Sequence, residues 1–584
     1  MYQESKLSHY INKANSLIGH KFEKKIRVAL LSSFTVNGLE EVLRVKSAEK
    51  NTECITYVGA YNQYNQEILD QESTLYKFSP DVTFLILDIR SIMGNLFHVP
   101  YSLSVQQRQD FIKKKVEEIC NLAKIFTKSS KSKLVITNFS ITSYSPYGIF
   151  ETKTKYGFHD MIRDLNVKLT DAFNIMDSVY LFDFNRFVSL HGEKNVFDFQ
   201  QFHFGDIKVS LDYIPYLAHD LMSYIIAVTG LSKKCIVLDL DNTLWGGIAG
   251  EDGFDGIKLG PTPPGNAYVE FQRYLLALYQ RGIILAINSK NNLEDVLKII
   301  RDHPNMILRE ENFACLKINW DDKVSNMKEI ADQLNIGLDS MVFLDDDPIN
   351  REYMRMNLPA VLTVELPQDP SHYAVLIQSM NEFNVLKITD EDTRRGKMYA
   401  QQHERKKLET STPNLEEFLK QLELRVSIKN ADTFTIPRIS QLTLKTNQFN
   451  LSTKRYQEED IARFAKDDKY LVRCAQVEDK FGDNGITGVF IVRKDTQKEW
   501  FIDTFLLSCR VMGREVEKGI LGHIIKEAKN SGIEKIKAKF IPTNKNKPIE
   551  NFLPNCGFQK EGEYWIYSLN STFIVPNYLT VSVQ

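Results

Sequence analysis

The sequence predicts an α/β chain: a doubly wound layer, a second parallel-sheet layer without a large insert, and an α+β remainder. Three observations carry that expectation. Over the first 385 residues, short apolar runs ending in small or acidic residues alternate with segments of helical spacing. From about 386 a strongly charged helical stretch gives way to longer strand-like runs. The 584 residues suffice for roughly three to four domains. The expected divisions are 1–230, 231–385 and 386–584.

In the first part, IRVALLSS (26–33), DVTFLILDIR (81–90), KLVITNF (133–139) and SVYLFDFNRF (178–187) read as buried strands. Ile112, Val116, Ile119, Ala123 and Phe126 recur at helical spacing between the second and third. In the second part, KCIVLDLDNT (234–243) and SMVFLDDDP (340–348) are strands ending in carboxylates. GIILAINSKNN (282–292) is a strand ending in small polar residues, and 266–282 is helical. In the third part, Thr389 and Asp392 form an expected capping box. Beyond it, 422–428, 488–495, 498–508 and 533–541 read as strands, with a helix near 515–530.

Composition bounds the function. With 43% hydrophobic and 25% charged residues and a net charge of −2, the chain is globular, not disordered. No charge excess suggests nucleic acid as a partner. No apolar run reaches the roughly 18 residues of a membrane span, so no membrane insertion is expected. The start lacks an apolar h-region, which implies a cytoplasmic protein. Seven scattered cysteines, none in CxxC spacing, argue against a disulfide framework or a zinc site.

The sharpest signal is Asp239-Leu240-Asp241-Asn242-Thr243 at a strand end. Where the chain curls beyond the strand, the first carboxylate can attack a phosphoryl group in line, giving an aspartyl-phosphate. The second can protonate the leaving oxygen and later activate water. Carboxylates and phosphate share such a site only with a cation, and Mg²⁺ suits hard oxygen ligands. Asp345 and Asp346 supply the further carboxylate, Asp345 being the favoured direct ligand. Thr243, Asn242, Ser289 and Lys323 supply phosphate donors.

In order and spacing these motifs resemble the haloacid dehalogenase (HAD) superfamily of phosphatases. VLDLDNTLWGGIAGEDGFDGIKLG, INSKNN, INWDDKVSN and FLDDDPINRE are similar to its FkbH-like branch, subfamily IIIC. The resemblance implies Asp239 as nucleophile and Asp241 as general acid/base. It also implies Mg²⁺ held by Asp239, the Asp241 carbonyl, and Asp345 or Asp346. The glycine-rich segment after Thr243 reads as a β-hairpin flap too short for a cap, leaving an open pocket. Trp245 there is either a recognition residue or a packed one.

The last part resembles GNAT-type acyltransferases. Arg510, Gly513 and Arg514 fit a pyrophosphate loop at a helix start, while Glu515 and Leu553 depart from the pattern. Cys509 precedes Arg510 and lies near Arg514, a setting expected to favour a thiolate. The resemblance implies glyceryl transfer: a phosphorylated acyl donor loses phosphate and the acyl group reaches a carrier-protein thiol, with Cys509 as way-station. Seven lysines within 526–547 form a possible docking face for an acidic acyl carrier protein. The polar residues of TLKTNQFNLSTKRY either line a donor cleft or cap turns. The first part resembles an SGNH-like domain with Ser33 at the nucleophile position. Asp198, His203 and Asp206 do not give the expected D-x-x-H spacing, so this part is expected to be non-catalytic.

The expected function is a Mg²⁺-dependent phosphatase coupled to acyl transfer, in secondary-metabolite or surface-polysaccharide synthesis. The alternatives are a plain Mg²⁺-dependent phosphatase with accessory binding domains, and an inactive carrier-protein scaffold.

Overall fold

A computed structural model describes residues 4–389, 392–395, 398, 399, 405, 408 and 411–583. The chain divides into two compact units, 2–229 and 230–584.

The first unit is built on β1 (Lys24–Ser32), β2 (Thr52–Val58), β3 (Val82–Ile86), β4 (Lys133–Thr137) and β5 (Val179–Phe182). All pairs are parallel, in the order β2-β1-β3-β4-β5. Such a sheet needs crossover helices on its faces. Helices Val105–Ser129 and Phe158–Phe173 are two of them, and both pack apolar faces into one core with Leu85, Leu134 and Ile136. Ser104 and Gln107 start the first with a reciprocal capping box.

The second unit holds two sheets. β6 (Cys235–Leu238), β7 (Ile284–Ser289), β8 (Phe313–Ile318), β9 (Met341–Asp345) and β10 (Leu362–Glu365) run parallel in the order β10-β9-β6-β7-β8. Alternation puts Ile236, Leu238, Leu285, Ile287, Val342 and Leu344 into one core. Cys235, Val237, Ile284, Ala286, Met341 and Phe343 enter the opposite one. Both faces are thus buried, which is why these strands read as continuous apolar runs.

The last sheet comprises β11 (Arg425–Asn430), β12 (Phe449–Asn450), β13 (Tyr470–Asp479), β14 (Gly482–Lys494), β15 (Glu499–Leu507), β16 (Lys535–Ala538), β17 (Gln559–Glu561), β18 (Tyr564–Ser568) and β19 (Thr580–Val583). The path β17-β18-β16-β15-β14-β13-β11-β19 is antiparallel except for β15–β16 and β11–β19. β15 leaves β16 after Ile502↔Ala538 and runs on to Leu507, where β12 takes over the pairing at Leu506 and Leu507. That splay opens the end of the sheet beside Ser508 and Cys509. Helix Val516–Asn530 packs Ile520, Leu521, Ile524 and Ile525 into the same core.

Candidate active site

Strand order reverses around β6, which has β7 on one side and β9 on the other. A crevice at the carboxyl ends of strands is expected there. Asp239 follows β6 directly, and Asp345 is the last residue of β9. Lys323 opens helix Lys323–Leu334, whose Asp322 cap accepts from the Ser325 amide at 2.9 Å. Lys323 Nζ lies 2.6 Å from Asp345 Oδ2 and 3.1 Å from Asp239 Oδ2. Burial pulls its ammonium down, but the two carboxylates outweigh that and hold it above its usual range.

Asp239, Asp345 and Asp346 bring carboxylate oxygens within 4.8 Å of one another. Burial, with Asp239 adding to it, raises Asp345. Burial and the charges of Asp239 and Asp345 push Asp346 up to about 6. Asp239 Oδ1 and Thr243 Oγ1 are buried without a hydrogen-bond partner among the described residues. One lysine against three converging carboxylates, with an orphaned buried oxygen, fits a hard divalent cation. Asp345 already accepts from Lys323 through Oδ2 and from the Asp347 amide through Oδ1, at 2.6 and 2.9 Å. The Asp346 carboxylate has no such partner outside its own backbone among the described residues. Asp345, expected as the direct ligand, and Asp346 thus differ in how many of their carboxylate oxygens already have donors.

Asp241 is fixed by three donors. Oδ1 accepts from Trp245 Nε1 at 2.9 Å and the Ala249 amide at 3.0 Å, and Oδ2 accepts from Asn291 Nδ2 at 2.9 Å. Asn291 also donates to Ser289 Oγ at 3.2 Å. Asn242 has left-handed φ of 52° and ties the loop, accepting from the Gly247 amide and, through its carbonyl, from Tyr373. Arg351 donates to the carbonyls of Asp345 and Asp346. Asn291 and Arg351 are not among the residues expected at the site, and Trp245 is expected there only as a recognition or a packed residue. Asn291 stands inside INSKNN, two residues after Ser289, which was the available signal.

The segment after Thr243 is not a hairpin. Gly246 and Lys258 form one isolated bridge, and a short helix, Ala249–Gly256, lies between them. Asp252 accepts from the Ile248 amide and, with Glu251, puts carboxylates on the helix start. Trp245 is fully buried, so it packs and positions Asp241.

Cys509 opens a three-residue 3-10 turn, while the following helix begins only at Val516. Its Sγ is 4.0 Å from Tyr399 Oη. Arg514 turns to Asp479, 3.1 Å away, where Arg405 also pairs. Arg510 is buried and bonds Ser508 Oγ at 3.4 Å. Gly513 adopts φ of 78° at the surface. Glu515 caps the helix in left-handed conformation and pairs with Lys518 and Tyr578. In the basic stretch, Lys537, Lys539 and Lys545 are paired with Glu499, Glu563 and Asp339.

In the first unit, Ser33 is buried and its Oγ accepts from the Asp88 amide at 2.8 Å. Asp198 caps helix Phe199–Gly205, and Asp206 accepts from Tyr61.

A parallel sheet with a lysine-bridged aspartate pair at its switch point defines a HAD-type phosphatase fold. Residues 27–226 match the family of the FkbH N-terminal domain. The chain is similar to the crystal structure of the N-terminal part of the protein BF1531 from Bacteroides fragilis, which contains a phosphatase domain complexed with Mg. Identity is 28%, covering 66% of this chain and all of that one, with a TM-score of 0.59. It is also similar to the ribosomal-protein-S18-alanine N-acetyltransferase of Escherichia coli, at 13% identity, 24% of this chain, 89% of that one and a TM-score of 0.19. For an IAA acetyltransferase of Bacillus cereus the values are 20%, 24%, 79% and 0.18. No curated protein matches the chain. No described helix is long and apolar enough to cross a membrane.

Proposed function

We propose that the chain is a Mg²⁺-dependent phosphatase that passes an acyl group to a carrier-protein thiol. The observation that carries the phosphatase reading is Lys323 bridging Asp239 and Asp345 beside Asp346. Asp239, the Asp241 carbonyl, and Asp346 with Asp345 would hold Mg²⁺, which when bound neutralises the carboxylates and the phosphate. Asp239 Oδ1 attacks phosphorus, the P–O bond to the leaving group breaks, and Asp241 protonates the departing oxygen. Water, deprotonated by Asp241, then cleaves the aspartyl-phosphate and restores Asp239. Lys323, Ser289 and Thr243 hold the phosphoryl oxygens. Trp245 and Asn291 keep Asp241 aimed.

For transfer, Cys509 Sγ gives up its proton and attacks the carbonyl of a glyceryl-type acyl phosphate, whose phosphate is not the one the Asp239 site removes. The acyl–oxygen bond breaks, phosphate leaves, and a thioester forms. A carrier thiol then takes the acyl group and Cys509 is released. Support comes from Cys509 being the partly exposed cysteine while the others are buried, and from the splay of β15 beside it. Incubation with the donor followed by intact-protein mass spectrometry tests this. A hydroxylamine-labile adduct on wild type, absent in Cys509→Ser, is expected. An adduct unchanged in Cys509→Ser removes the thiol from the mechanism. Phosphate release without any adduct or loaded carrier leaves a plain phosphatase. No phosphate release with Mg²⁺ present leaves a scaffold.

A further inference from the structure

A phosphoryl group seated between Asp239 and Lys323 would have the parallel sheet behind it. Its leaving group would then emerge past the segments that follow β6, β7, β8 and β9. Each of these segments exposes a large apolar side chain close to the carboxylates: Ile248 is 40% exposed, Leu293 47%, Trp320 70% and Ile349 75%. Ile248 precedes Ala249, whose amide donates to Asp241 Oδ1 at 3.0 Å. Leu293 lies two residues after Asn291, which donates to Asp241 Oδ2 at 2.9 Å. Trp320 lies three residues before Lys323, and Ile349 three after Asp346.

Single exposed apolar side chains are ordinary on a protein surface. Four that arrive at one crevice from four different strand ends are a different matter. Trp320 is the informative member, because its indole is open to water and yet held. Its Nε1 donates to Asn292 Oδ1 at 3.2 Å, and Asn292 Nδ2 donates to Asp295 Oδ2 at 3.3 Å. Just before it, the Asn319 amide donates to the Ser289 carbonyl at 3.2 Å, which ties the end of β8 to the end of β7. An indole anchored through its N–H and bare on its faces is a preorganised apolar wall. Exposed charge in the same segments is mostly acidic, with Glu251, Glu294 and Asp321 against Lys290.

We propose that Trp320, with Ile248, Leu293 and Ile349, forms an apolar collar that selects the leaving group at the Asp239 site. The substrate of that site is then the phosphate monoester of an uncharged alcohol with an alkyl chain of several carbons, not of a small polyol such as glycerol. The inference rests on the phosphatase reading of the site and deepens it. The phosphoryl group stays with Asp239 and Lys323, and the chain beyond the ester oxygen lies against the indole and the three branched side chains. The neighbouring acids turn away an anionic leaving group. The chain touches the collar equally before and during P–O cleavage, so the collar acts on KM and not on kcat.

Phosphate release from ethyl, butyl, hexyl and glycerol phosphate by the full chain with Mg²⁺ reads the collar. From ethyl to hexyl, kcat/KM should rise about tenfold through KM, less than four fully buried methylenes would give because the chain is covered on one side. That ratio should fall to about twofold in Trp320→Ala and by a smaller factor in Ile349→Asn. Both side chains are exposed, so neither substitution opens the core. A ratio near one in wild type, a ratio unchanged in both variants, or a preference for glycerol over butyl phosphate would overturn the collar. A second readout needs no turnover. In Asp239→Asn, hexyl phosphate should shield Trp320 from acrylamide quenching and ethyl phosphate should not; Trp245 and Trp500 are buried and Trp565 is half-buried. The shielding should vanish in the double variant with Trp320→Phe. Release from none of the esters would defeat the phosphatase reading, and the collar then stands on shielding by hexyl phosphate and falls without it.

Discussion

Asn335 donates from its side-chain amide to the main-chain carbonyl of Cys509. Asn335 is the C-cap of the helix that Lys323 begins. One twelve-residue helix, about 18 Å long, thus has the phosphatase lysine at its start and the thiol turn at its end. Asn335 is also left-handed, with φ of 50°. The two roles separate by substitution. Asn335→Gly keeps the cap conformation and loses the hydrogen bond, whereas Asn335→Ala adds a left-handed penalty of about 1–2 kcal/mol. Both should change the alkylation rate of Cys509, and only Asn335→Ala should lower the melting temperature appreciably. Equal melting with an unchanged alkylation rate would leave the contact without effect.

Asp239→Asn should abolish phosphate release, because an amide does not attack phosphorus. Asp241→Asn should cost about 10²–10⁴-fold, the usual range of general acid–base help. Trp245→Phe removes one donor to Asp241 and should lower turnover by a smaller factor. Phosphate release and circular dichroism on the same samples separate chemistry from folding. Wild-type release by Asp239→Asn rules out the aspartyl-phosphate.

Chelation should stop phosphate release and Mg²⁺ should restore it. The concentration of Mg²⁺ giving half-maximal activity should rise more in Asp346→Asn than in Asp345→Asn, because both Asp345 oxygens already have donors. Asp345→Asn should instead disturb Lys323, its 2.6 Å partner, and lower turnover at saturating Mg²⁺. The reverse ranking would return the direct ligand to Asp345.

What the sequence revealed follows from how local each feature is. β6, β7 and β9 are buried on both faces, so apolar runs announced them. β2 (TECITYV) is an edge strand with alternating exposure, and its charged and polar residues hid it. The segment after Thr243 misled because glycines suggested a hairpin, while Asp252 and Glu251 support a helix start. At the site, Asp239, Asp345 and Lys323 end or begin elements, and strand-end chemistry is visible in one dimension. The hold of Asn291 on Asp241 appears only when β7 lies beside β6, whereas that of Trp245 is made within one loop. The gathering of Lys234, Arg395, Lys445 and Lys545 around one cavity was illegible for the same reason, since they come from four separated segments.

Arg514, expected to bind phosphate, lies in a buried network. Its guanidinium and that of Arg405 both pair with Asp479, whose side chain is fully buried. Removing the carboxylate takes a buried ion-pair partner from both guanidinium groups, so Asp479→Ala should cost about 3–5 kcal/mol of stability. Arg514→Met leaves the Arg405 pair in place and should cost less. Denaturant melts check both.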